Sequence, residues 1–379
     1  MRIFENTNFD FLGKRKIAYI VSGVLLVFGL LSLLFKGIEF GIDFKGGTEI
    51  ALEFEKPIEV GDARDYLGGL GLGNIEVKTF GGETGLLIRS ELQEIPADLF
   101  PSVLERVETL ISKNFPDLTY QITDTTSSSV TYSISDPLLV GPLTDKLTNS
   151  GFQAIRFNQE ENNSKLIVRV GIADWIQENL LEYMPDNKFK VLKEDNVGPK
   201  VGGELKRDAT IAVLLALVVM LIYLGFRFKF VFALGAVAAL FHDVLITLGI
   251  FSILYNVIPG LNLEISVNVV AAFLTLVGYS INDTVIVFDR IRENIKIHKT
   301  APLEDNINKA INKTIPRTII TSLTTLIVVA VLLFFGGEVL RGFAFTLFFG
   351  VVIGTYSSIF VASPFVLEYA SKVKKNIQF

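Results

Sequence analysis

An aspartate lies inside a stretch of the chain that is otherwise apolar enough to cross a membrane. Asp283 falls within the apolar segment 265–288, where a carboxylate costs roughly 2.5–3.5 kcal/mol on insertion scales. A helix places Tyr279 and Ser280 beside Asp283, and Gly278 would let a neighbouring helix approach closely. The pattern predicts a carrier of protons or ions. The alternative is a carboxylate that only pins helices together through hydrogen bonds.

A second polar pair lies near the middle of another apolar run. His242 and Asp243 are adjacent in the segment 230–254. Adjacent helical residues point about 100° apart, so the two need not share a partner. Asp243 is favoured as the functional member because a buried histidine can be satisfied by a backbone carbonyl. Either residue could instead be structural.

A cation stands at the start of the fifth apolar run, followed by a stripe of hydroxyls. Arg317 and Asp283 lie in the same half of the membrane, so the two could form an ion pair. Arg317 stays charged and would hold Asp283 ionised until they separate, whereas desolvation favours the protonated acid. An Arg317 that reaches the headgroups without a partner is the alternative. The stripe consists of Thr321, Thr324 and Thr325.

Six apolar runs must position these residues. The 379-residue chain is 50% hydrophobic, above the usage of soluble proteins. The first run, 17–35, resembles a signal peptide, but no small-residue cleavage site follows it, so it predicts an uncleaved anchor. The other five runs fall within 209–367, at 209–225, 230–254, 265–288, 318–335 and 342–367.

The orientation of the spans follows from Lys and Arg in the short connecting segments. The loops 255–264 and 336–341 hold only one such residue, Arg341, whereas the segments on the opposite side hold many. The positive-inside rule therefore predicts cytoplasmic termini and an external region 37–207. The cationic segments are residues 1–16, Arg227 with Lys229, 289–317 and the tail 368–379.

No motif for catalysis or for a cofactor occurs in the chain. It lacks cysteine, which excludes thiolate chemistry, disulfides and Cys-ligated zinc. It also lacks a Walker phosphate loop, GxGxxG, HExxH and GxSxG. We therefore predict no enzyme activity, cofactor or metal site. The loop 289–317 carries mixed charges and is expected to be a solvated helical hairpin; a nucleic-acid or ribosome site there is the weaker interpretation.

The external region alternates short strands and helices. This order predicts an α+β domain of two ferredoxin-like split β-α-β units, 40–125 and 135–200, related by internal duplication. The run 123–135 is expected to be a link or an exposed strand, and 160–163 a turn. The predicted strands are Thr48–Phe54, Ile75–Phe80, Gly85–Ser90, Leu118–Thr123, Phe152–Asn158, Lys165–Val170 and Lys188–Lys193, and the predicted helices are Val60–Leu70, Ala97–Asn114, Pro137–Ser150 and Asp174–Tyr183.

Several motifs together resemble the SecD/SecF family of protein-export membrane proteins. The run 41–48 reads GIDFKGGT, which is similar to the GIDFxGG signature of the SecF branch, whereas the SecD branch carries GLDLxGG. The other motifs follow in the family's order, and the resemblance covers 1–50 and 195–370. They are VGPKVGGEL at 197–205, the pair His242-Asp243, the run 278–294 and RTIITS at 317–322.

The resemblance implies a six-span half of the resistance-nodulation-division architecture in a bacterial cytoplasmic membrane. It implies SecD, the SecYEG channel, the SecA motor and a translocating polypeptide as partners, with protons as the driving ion, lipid around the helices and no nucleic acid. By motif position the proton path falls on Asp283, Arg317 and Thr321, to which we add Asp243. Family members carry one ferredoxin-like unit outside, so residues 120–190 are expected to be inserted.

Glycine-rich motifs flank the external region. They are expected to act as backbone pivots near the membrane surface, although an ordinary tight turn would use the same residues. The motif residues are Gly41, Asp43, Gly46, Gly47, Gly198, Pro199 and Gly202.

The expected function is proton-driven assistance to polypeptide export. Two alternatives remain open from the sequence. One is a proton-coupled exporter of small molecules in the same superfamily, and the other is a non-transporting factor that assembles the translocon.

Overall fold

The computed structural model describes residues 8–157, 164–258, 261 and 263–373. These residues form two compact units, each described here by itself. The helical unit comprises Met1–Gly41 and Leu205–Phe379, and the sheet unit comprises Ile42–Glu204. The turn predicted at 160–163 lies outside the described residues.

The helices and strands follow one another in a simple order. The helices are α1 Arg15–Phe35, α2 Ile42–Lys45, α3 Val60–Gly68, α4 Phe100–Asn114, α5 Val140–Asn149, α6 Ile172–Tyr183, α7 Pro199–Arg227, α8 Phe230–Leu254, α9 Val267–Ile297, α10 Leu303–Phe335, α11 Glu338–Ser357 and α12 Ser363–Val373. The strands are β1 Gly47–Phe54, β2 Ile75–Thr79, β3 Gly85–Ser90, β4 Tyr120–Thr125, β5 Ser129–Ile134, β6 Ala154–Arg156, β7 Lys165–Arg169 and β8 Phe189–Val197.

Six helical spans are long and apolar enough to cross a membrane within the described ranges, which confirms the six predicted. They are α1, α7, α8, α9, α10 and the joined helices α11 and α12. A π-helical turn, Ser358–Ala362, connects the last two helices. Such wide turns leave one residue without the regular bonding pattern and often occur at functional sites.

Several spans continue beyond the apolar runs. Helix α7 begins at Pro199, whose missing N–H is tolerated in the first turn of a helix. Helices α9 and α10 extend toward each other and form the hairpin predicted for 289–317. The amide of Asn294 donates to the Asn306 carbonyl at 3.2 Å, and the amide of Asn306 donates to the His298 carbonyl at 3.2 Å. These two bonds close the connection between the helices.

Small residues let the spans pack closely. A Cβ added at Gly350 would lie 2.5 Å from the Leu276 side chain, and one at Gly354 would lie 3.0 Å from Ser280, so α11 packs closely against α9 at these two glycines. By contrast, a Cβ at Gly278 would have no neighbour within 4 Å. The close approach predicted at Gly278 is therefore wrong, and the glycines that permit it lie on α11.

The sheet unit contains two antiparallel sheets of four strands each. Their orders are β2-β3-β1-β8 and β4-β5-β7-β6. Side chains from both sheets and from α3 to α6 join in one apolar cluster, because alternate strand residues face the helices.

The two sheets exchange strands relative to the predicted units 40–125 and 135–200. Strand β4 lies beside β5 in the second sheet, and β8, the last strand, lies beside β1 in the first. The β1–β8 pairing runs from Gly47 opposite Val197 to Phe54 opposite Phe189. The last strand of the sheet unit therefore pairs with its first strand. The two sheets do not coincide with the predicted units 40–125 and 135–200.

Candidate functional site

Polar side chains buried in the helical unit gather around two carboxylates. Asp243 on α8 is 1% exposed and Asp283 on α9 is 2% exposed. A buried acid must be hydrogen-bonded, paired or protonated. The groups that surround each carboxylate therefore determine what the site can do.

Asp283 faces a short chain of hydroxyls from α10 and α11. Ser322 Oγ lies 3.5 Å from Asp283 Oδ2 and 2.7 Å from Thr355 Oγ1. Thr355 donates its single proton to the Val351 carbonyl at 2.7 Å, so it accepts from Ser322. Ser322 has one proton, which can go to Asp283 Oδ2 or to Thr355, whereas a protonated Asp283 can itself donate to the Ser322 oxygen. The surroundings therefore accommodate both the carboxylate and the protonated acid.

Arg317 and Thr321 do not bind Asp283 in this structure. Both side chains are exposed on α10, and the described residues contain no ion pair between Arg317 and Asp283. Thr321 Oγ1 donates to the carbonyls of Arg317 and Thr318, each at 3.0 Å. The Asp283–Arg317 pair considered from the sequence is thus not formed, and the inward hydroxyl of α10 belongs to Ser322.

The two residues expected beside Asp283 on its own helix bond elsewhere. Tyr279 Oη donates to Thr325 Oγ1 at 3.4 Å, and Ser280 Oγ donates to Asp243 Oδ2 at 2.6 Å. Neighbouring positions on a helix share a face, but the direction of each hydroxyl is set by the helix that packs against it. Ser280 therefore serves the second carboxylate.

Three side chains hydrogen-bond Asp243. Its Oδ2 accepts from Ser280 on α9 and, at 2.8 Å, from Ser357 on α11. Its Oδ1 lies 2.9 Å from Nδ1 of the adjacent His242. Ser357 is the last residue before the π-helical turn. The wide turn and the buried carboxylate are therefore neighbours.

His242 extends this cluster to the first span. Its Nε2 lies 3.0 Å from Ser22 Oγ on α1, and Ser22 Oγ lies 3.1 Å from Tyr356 Oη on α11. Asp243 alone was favoured from the sequence, because adjacent helical residues point in different directions. In the structure the two side chains nevertheless bond each other, at 2.9 Å.

The hydroxyl residues that complete both clusters were not predicted from the sequence. Each lies in an apolar span where a small polar residue is compatible with many roles, so only the helix packing identifies its partner. The one signal in the sequence was their position among apolar residues. They are Ser22, Ser322, Thr355, Tyr356 and Ser357.

The glycine motifs predicted as pivots come together in the sheet unit. Gly46 and Gly47 adopt φ angles of +77° and +112°, which favour glycine. A Cβ at Gly46 would lie 3.1 Å from Pro199, and a Cβ at Gly202 would lie 3.2 Å from the Phe44 backbone. The two motifs therefore pack backbone to backbone. Gly41 donates its N–H to the Ile265 carbonyl in the helical unit, Asp43 lies in α2, and Gly198 directly precedes α7.

Metal-ligating side chains are dispersed. Among the residues that the structure describes, no three His, Cys, Asp or Glu gather in a group that could hold a metal ion.

Two family profiles match the chain. The SecD/SecF GG motif matches residues 31–58, and the C-terminal part of the protein export membrane protein SecD/SecF matches residues 176–372. The second match alone spans more than half of the chain.

Curated relatives match over nearly their whole length. The protein translocase subunit SecF of Rhodothermus marinus is 41% identical over 372 residues, which cover 98% of this chain and 96% of the relative. The SecF subunit of Calditerrivibrio nitroreducens is 37% identical and covers 98% of both chains. These relatives therefore have no shorter external region, and the expectation that residues 120–190 are inserted is wrong for them.

A solved structure shares the fold. The crystal structure of SecDF, a translocon-associated membrane protein from Thermus thermophilus, aligns with a TM-score of 0.66 and 29% sequence identity. The alignment covers 98% of this chain but 40% of the SecDF chain. This chain thus spans less than half the length of that solved protein.

Proposed function

The chain belongs to the SecD/SecF family of protein-export membrane proteins, in its SecF branch, and we propose that it uses the proton-motive force to assist polypeptide export. As a SecF subunit it is a non-catalytic, multi-pass component of the protein translocase in the inner membrane. The observation that carries the proposal is the burial of Asp243 and Asp283 in clusters whose hydroxyls come from four spans, α1, α9, α10 and α11.

Protonation of Asp283 is the proposed driving event. A protonated Asp283 donates to Ser322, which keeps its bond to Thr355, so one hydrogen-bonded chain joins α9, α10 and α11. Loss of the proton leaves a carboxylate to which Ser322 can donate only by giving up its hydrogen bond to Thr355. The chain across the three helices is then broken, which favours a different packing of the helices. One charge crossing 100 mV supplies about 2.3 kcal/mol, enough to bias a two-state movement.

SecD is the proposed partner of the helical unit, and the exposed polar face of α10 supports this. Arg317, Thr321 and Thr324 are all exposed there. A charged side chain that faces lipid at this depth is costly, so such residues normally meet a protein partner or water. SecD would cover this face and bring an acceptor to Arg317. Arg317 and Thr321 would then act in the proton path at the subunit boundary, beside Asp283 and Asp243.

We interpret the sheet unit as two ferredoxin-like units that arose by duplication and exchanged their last strand. Each sheet has the order expected when a β-α-β-β-α-β unit places its fourth strand beside its first. In the first sheet that place is taken by β8, and in the second by β4. The exchange would tie both halves into one body that moves as a whole.

A free sheet edge offers a surface for the exported polypeptide. Strand β2 is the edge of its sheet, and a cavity of about 740 Å³ runs along residues 74–78. Phe80 donates across the hairpin to the Gly85 carbonyl, so the alternate residues Val77 and Thr79 point their backbone groups away from β3. The Arg64 guanidinium already donates to the Val77 carbonyl at 2.8 Å. An extended chain could pair with the same edge.

The sheet unit would contact the polypeptide on the external side as it leaves SecYEG, while SecA acts on the cytoplasmic side. This topology follows from the positive-inside rule. The glycine motifs, with Asp43 and Pro199, would act as pivots where the sheet unit begins and ends.

A non-transporting assembly factor is the second candidate. Every described hydrogen bond to the two carboxylate groups, apart from that of His242, comes from another helix, as expected for residues that only hold helices together. The two functions differ in one respect: assembly needs the hydrogen bonds, whereas transport needs a group that titrates.

Asp283→Asn separates the two functions, because it keeps a polar group but cannot titrate. Export of a model preprotein into inverted membrane vesicles is measured with and without a proton-motive force. We expect the variant to assemble with SecD but to lose the export that depends on the force. Asp289→Asn, an exposed acid on the same helix paired with Arg292, is the matched control. Export at the parent level in Asp283→Asn would reject the proposed function.

A further inference from the structure

A continuous line of four polar side chains connects α11, α1 and α8 inside the helical unit. Tyr356 Oη lies 3.1 Å from Ser22 Oγ, Ser22 Oγ lies 3.0 Å from His242 Nε2, and His242 Nδ1 lies 2.9 Å from Asp243 Oδ1. Ser22 and His242 are each 6% exposed and Asp243 is 1% exposed. Three of the four side chains are therefore buried, and the protons along the line can be counted from their hydrogen-bond partners.

Tyr356 fixes the direction of the hydrogen bonds along the line. Its one hydroxyl proton goes to the Ala18 carbonyl at 2.8 Å, so its oxygen accepts from Ser22. Ser22 has then used its only proton, and its oxygen must accept from His242. His242 therefore carries a proton on Nε2.

One further proton must lie between His242 and Asp243. With Nε2 protonated, Nδ1 either carries a second proton and donates to the carboxylate, or accepts from a protonated Asp243. Both arrangements have zero net charge. Without that proton, the lone pair of Nδ1 would face the carboxylate at 2.9 Å, and the contact would be repulsive.

The protein can release this proton only if the hydrogen bonds along the line of four side chains are rearranged. The remaining proton of the imidazole must lie on Nδ1 to keep the hydrogen bond to Asp243. Nε2 must then accept a hydrogen bond from Ser22. Ser22 can no longer donate to Tyr356, so one of the two hydrogen bonds between Tyr356 and α1 is lost and only the bond to the Ala18 carbonyl remains. The carboxylate keeps its two hydroxyl donors, Ser280 and Ser357, in both states.

We propose that the His242–Asp243 pair holds one transferable proton and that its release detaches Ser22 of α1 from Tyr356 of α11. This rests on the proposed function and deepens it, because it assigns His242, Ser22 and Tyr356 as positioning residues that act through Asp243. Helix α1 is the span that leads, through residues 36–41, into the sheet unit. The proton on His242 and Asp243 thus controls how firmly that span is held.

Other titratable side chains lie on the elements packed around His242. Helix α9 carries Asp283, which faces Ser322, and α1 carries Tyr19, which bonds Glu368 of α12. Neither Asp283 nor Tyr19 forms a hydrogen bond with His242 among the described residues. The positions of the protons on the His242 ring therefore report the proton shared with Asp243.

Nitrogen-15 NMR of histidine tests the inference on the full chain in lipid bilayers with SecD present. The chain has only two histidines, His242 and His298, and the exposed His298 is assigned by His298→Gln. At low pH, we expect a proton on Nε2 of His242. As the pH rises, that ring should convert to the Nδ1–H tautomer in one step. A ring that keeps Nε2–H at all pH values, or one that never carries it, overturns the proposal.

Two variants sharpen the test. Tyr356→Phe removes the acceptor that holds the Ser22 proton, so the tautomer change should occur about one pH unit lower, which is the effect of one ordinary hydrogen bond. Tyr223→Phe, an exposed tyrosine on α7, should leave the transition in place. An unchanged transition in Tyr356→Phe would contradict the proton count.

The outcome is independent of the test of the proposed function. Asp283→Asn should leave the tautomer change of His242 intact. If that variant exports normally, proton-driven export fails while the His242 result stands. If the tautomer change is absent in the parent chain, the relay fails while the role of Asp283 stands.

Discussion

At the scale of single residues, the buried acids of this chain differ in the groups that surround their carboxylates. Asp283 and Asp243 lie among hydroxyls in a helical bundle. Asp174 is equally buried, but in the sheet unit, at the start of α6, where its side chain accepts the N–H groups of Gly171 and Gln153. A buried acid that caps a helix affects folding, whereas one between mobile spans can affect transport.

Asp174 predicts a pH-dependent stability of the sheet unit. Burial raises its pKa from 3.8 to about 6, although Arg169 opposes the shift. The folded state therefore binds the proton more tightly than the unfolded state, and stability falls as the pH rises from 4 to 6.5, by up to about 3 kcal/mol.

The single tryptophan, Trp175, adjoins Asp174 and reports urea unfolding of the full chain by fluorescence. Asp174→Asn should lose the fall in stability that the parent chain shows between pH 4 and 6.5. Equal pH dependence in the two chains would show that Asp174 titrates normally. Asp117→Asn, an exposed acid in the same unit, serves as the control.

Residue types predicted the acids but not their partners. Asp243 and Asp283 stood out because charge is rare in an apolar run. Ser322 and Ser357 did not, because a serine in a span costs little and bonds its own backbone in most cases. Whether Arg317 reached Asp283 depended on the rotation of α10, which no local pattern specifies.

At the scale of elements, α1 is held to α8 by a contact between two glycines. A Cβ added at Gly249 would lie 2.6 Å from Gly29 Cα, which is backbone and cannot rotate away. Further along, Ser32 Oγ and Ser252 Oγ are 2.7 Å apart. At the glycine pair the two helices therefore pack backbone against backbone.

Gly249→Ala should push α1 away from α8. The chain has no cysteine, so Ser32→Cys with Ser252→Cys creates a single pair whose disulfide formation reports the distance between the helices. Because backbone must move, we expect disulfide formation to slow at least several-fold in Gly249→Ala. Gly23→Ala on α1, where a Cβ meets nothing within 4 Å, should have no effect. Equal rates in both variants would contradict the packing.

The edge of β2 predicts contact with the exported chain. A photoreactive residue at the exposed Thr79 should cross-link a stalled export substrate, because the backbone groups there point outward. The same probe at Thr109, exposed on α4 but away from any edge, is the control. Cross-links of equal yield at both positions would indicate random collision instead of strand pairing.

Strand order shows the limit of local patterns at this scale. Strands β1 and β3 occupy nearly the predicted residues, since alternating apolar residues and glycine turns mark them. The exchange of β4 and β8 was not predictable, because each strand carries the same alternation whichever sheet it joins. The pairing of β8 with β1 is evident only from the three-dimensional structure.

At the scale of the whole molecule, the six spans confirm the sequence analysis, whereas their orientation is a prediction. The cysteine-free chain allows direct labelling in intact cells. Asp117→Cys in the sheet unit should react with a membrane-impermeant maleimide added outside, and Lys299→Cys between α9 and α10 should react only after lysis. The reverse pattern would invert the topology and with it the direction of proton entry.

The account as a whole depends on proton exchange at one buried acid. Infrared difference spectroscopy of the full chain with SecD in vesicles measures it directly. Acidification of the external side should produce the carbonyl band of protonated carboxyl groups, and that band should lose the contribution of Asp283 in Asp283→Asn but keep its full size in Asp289→Asn. A band of the same size in Asp283→Asn, or no band in the parent chain, would contradict the account.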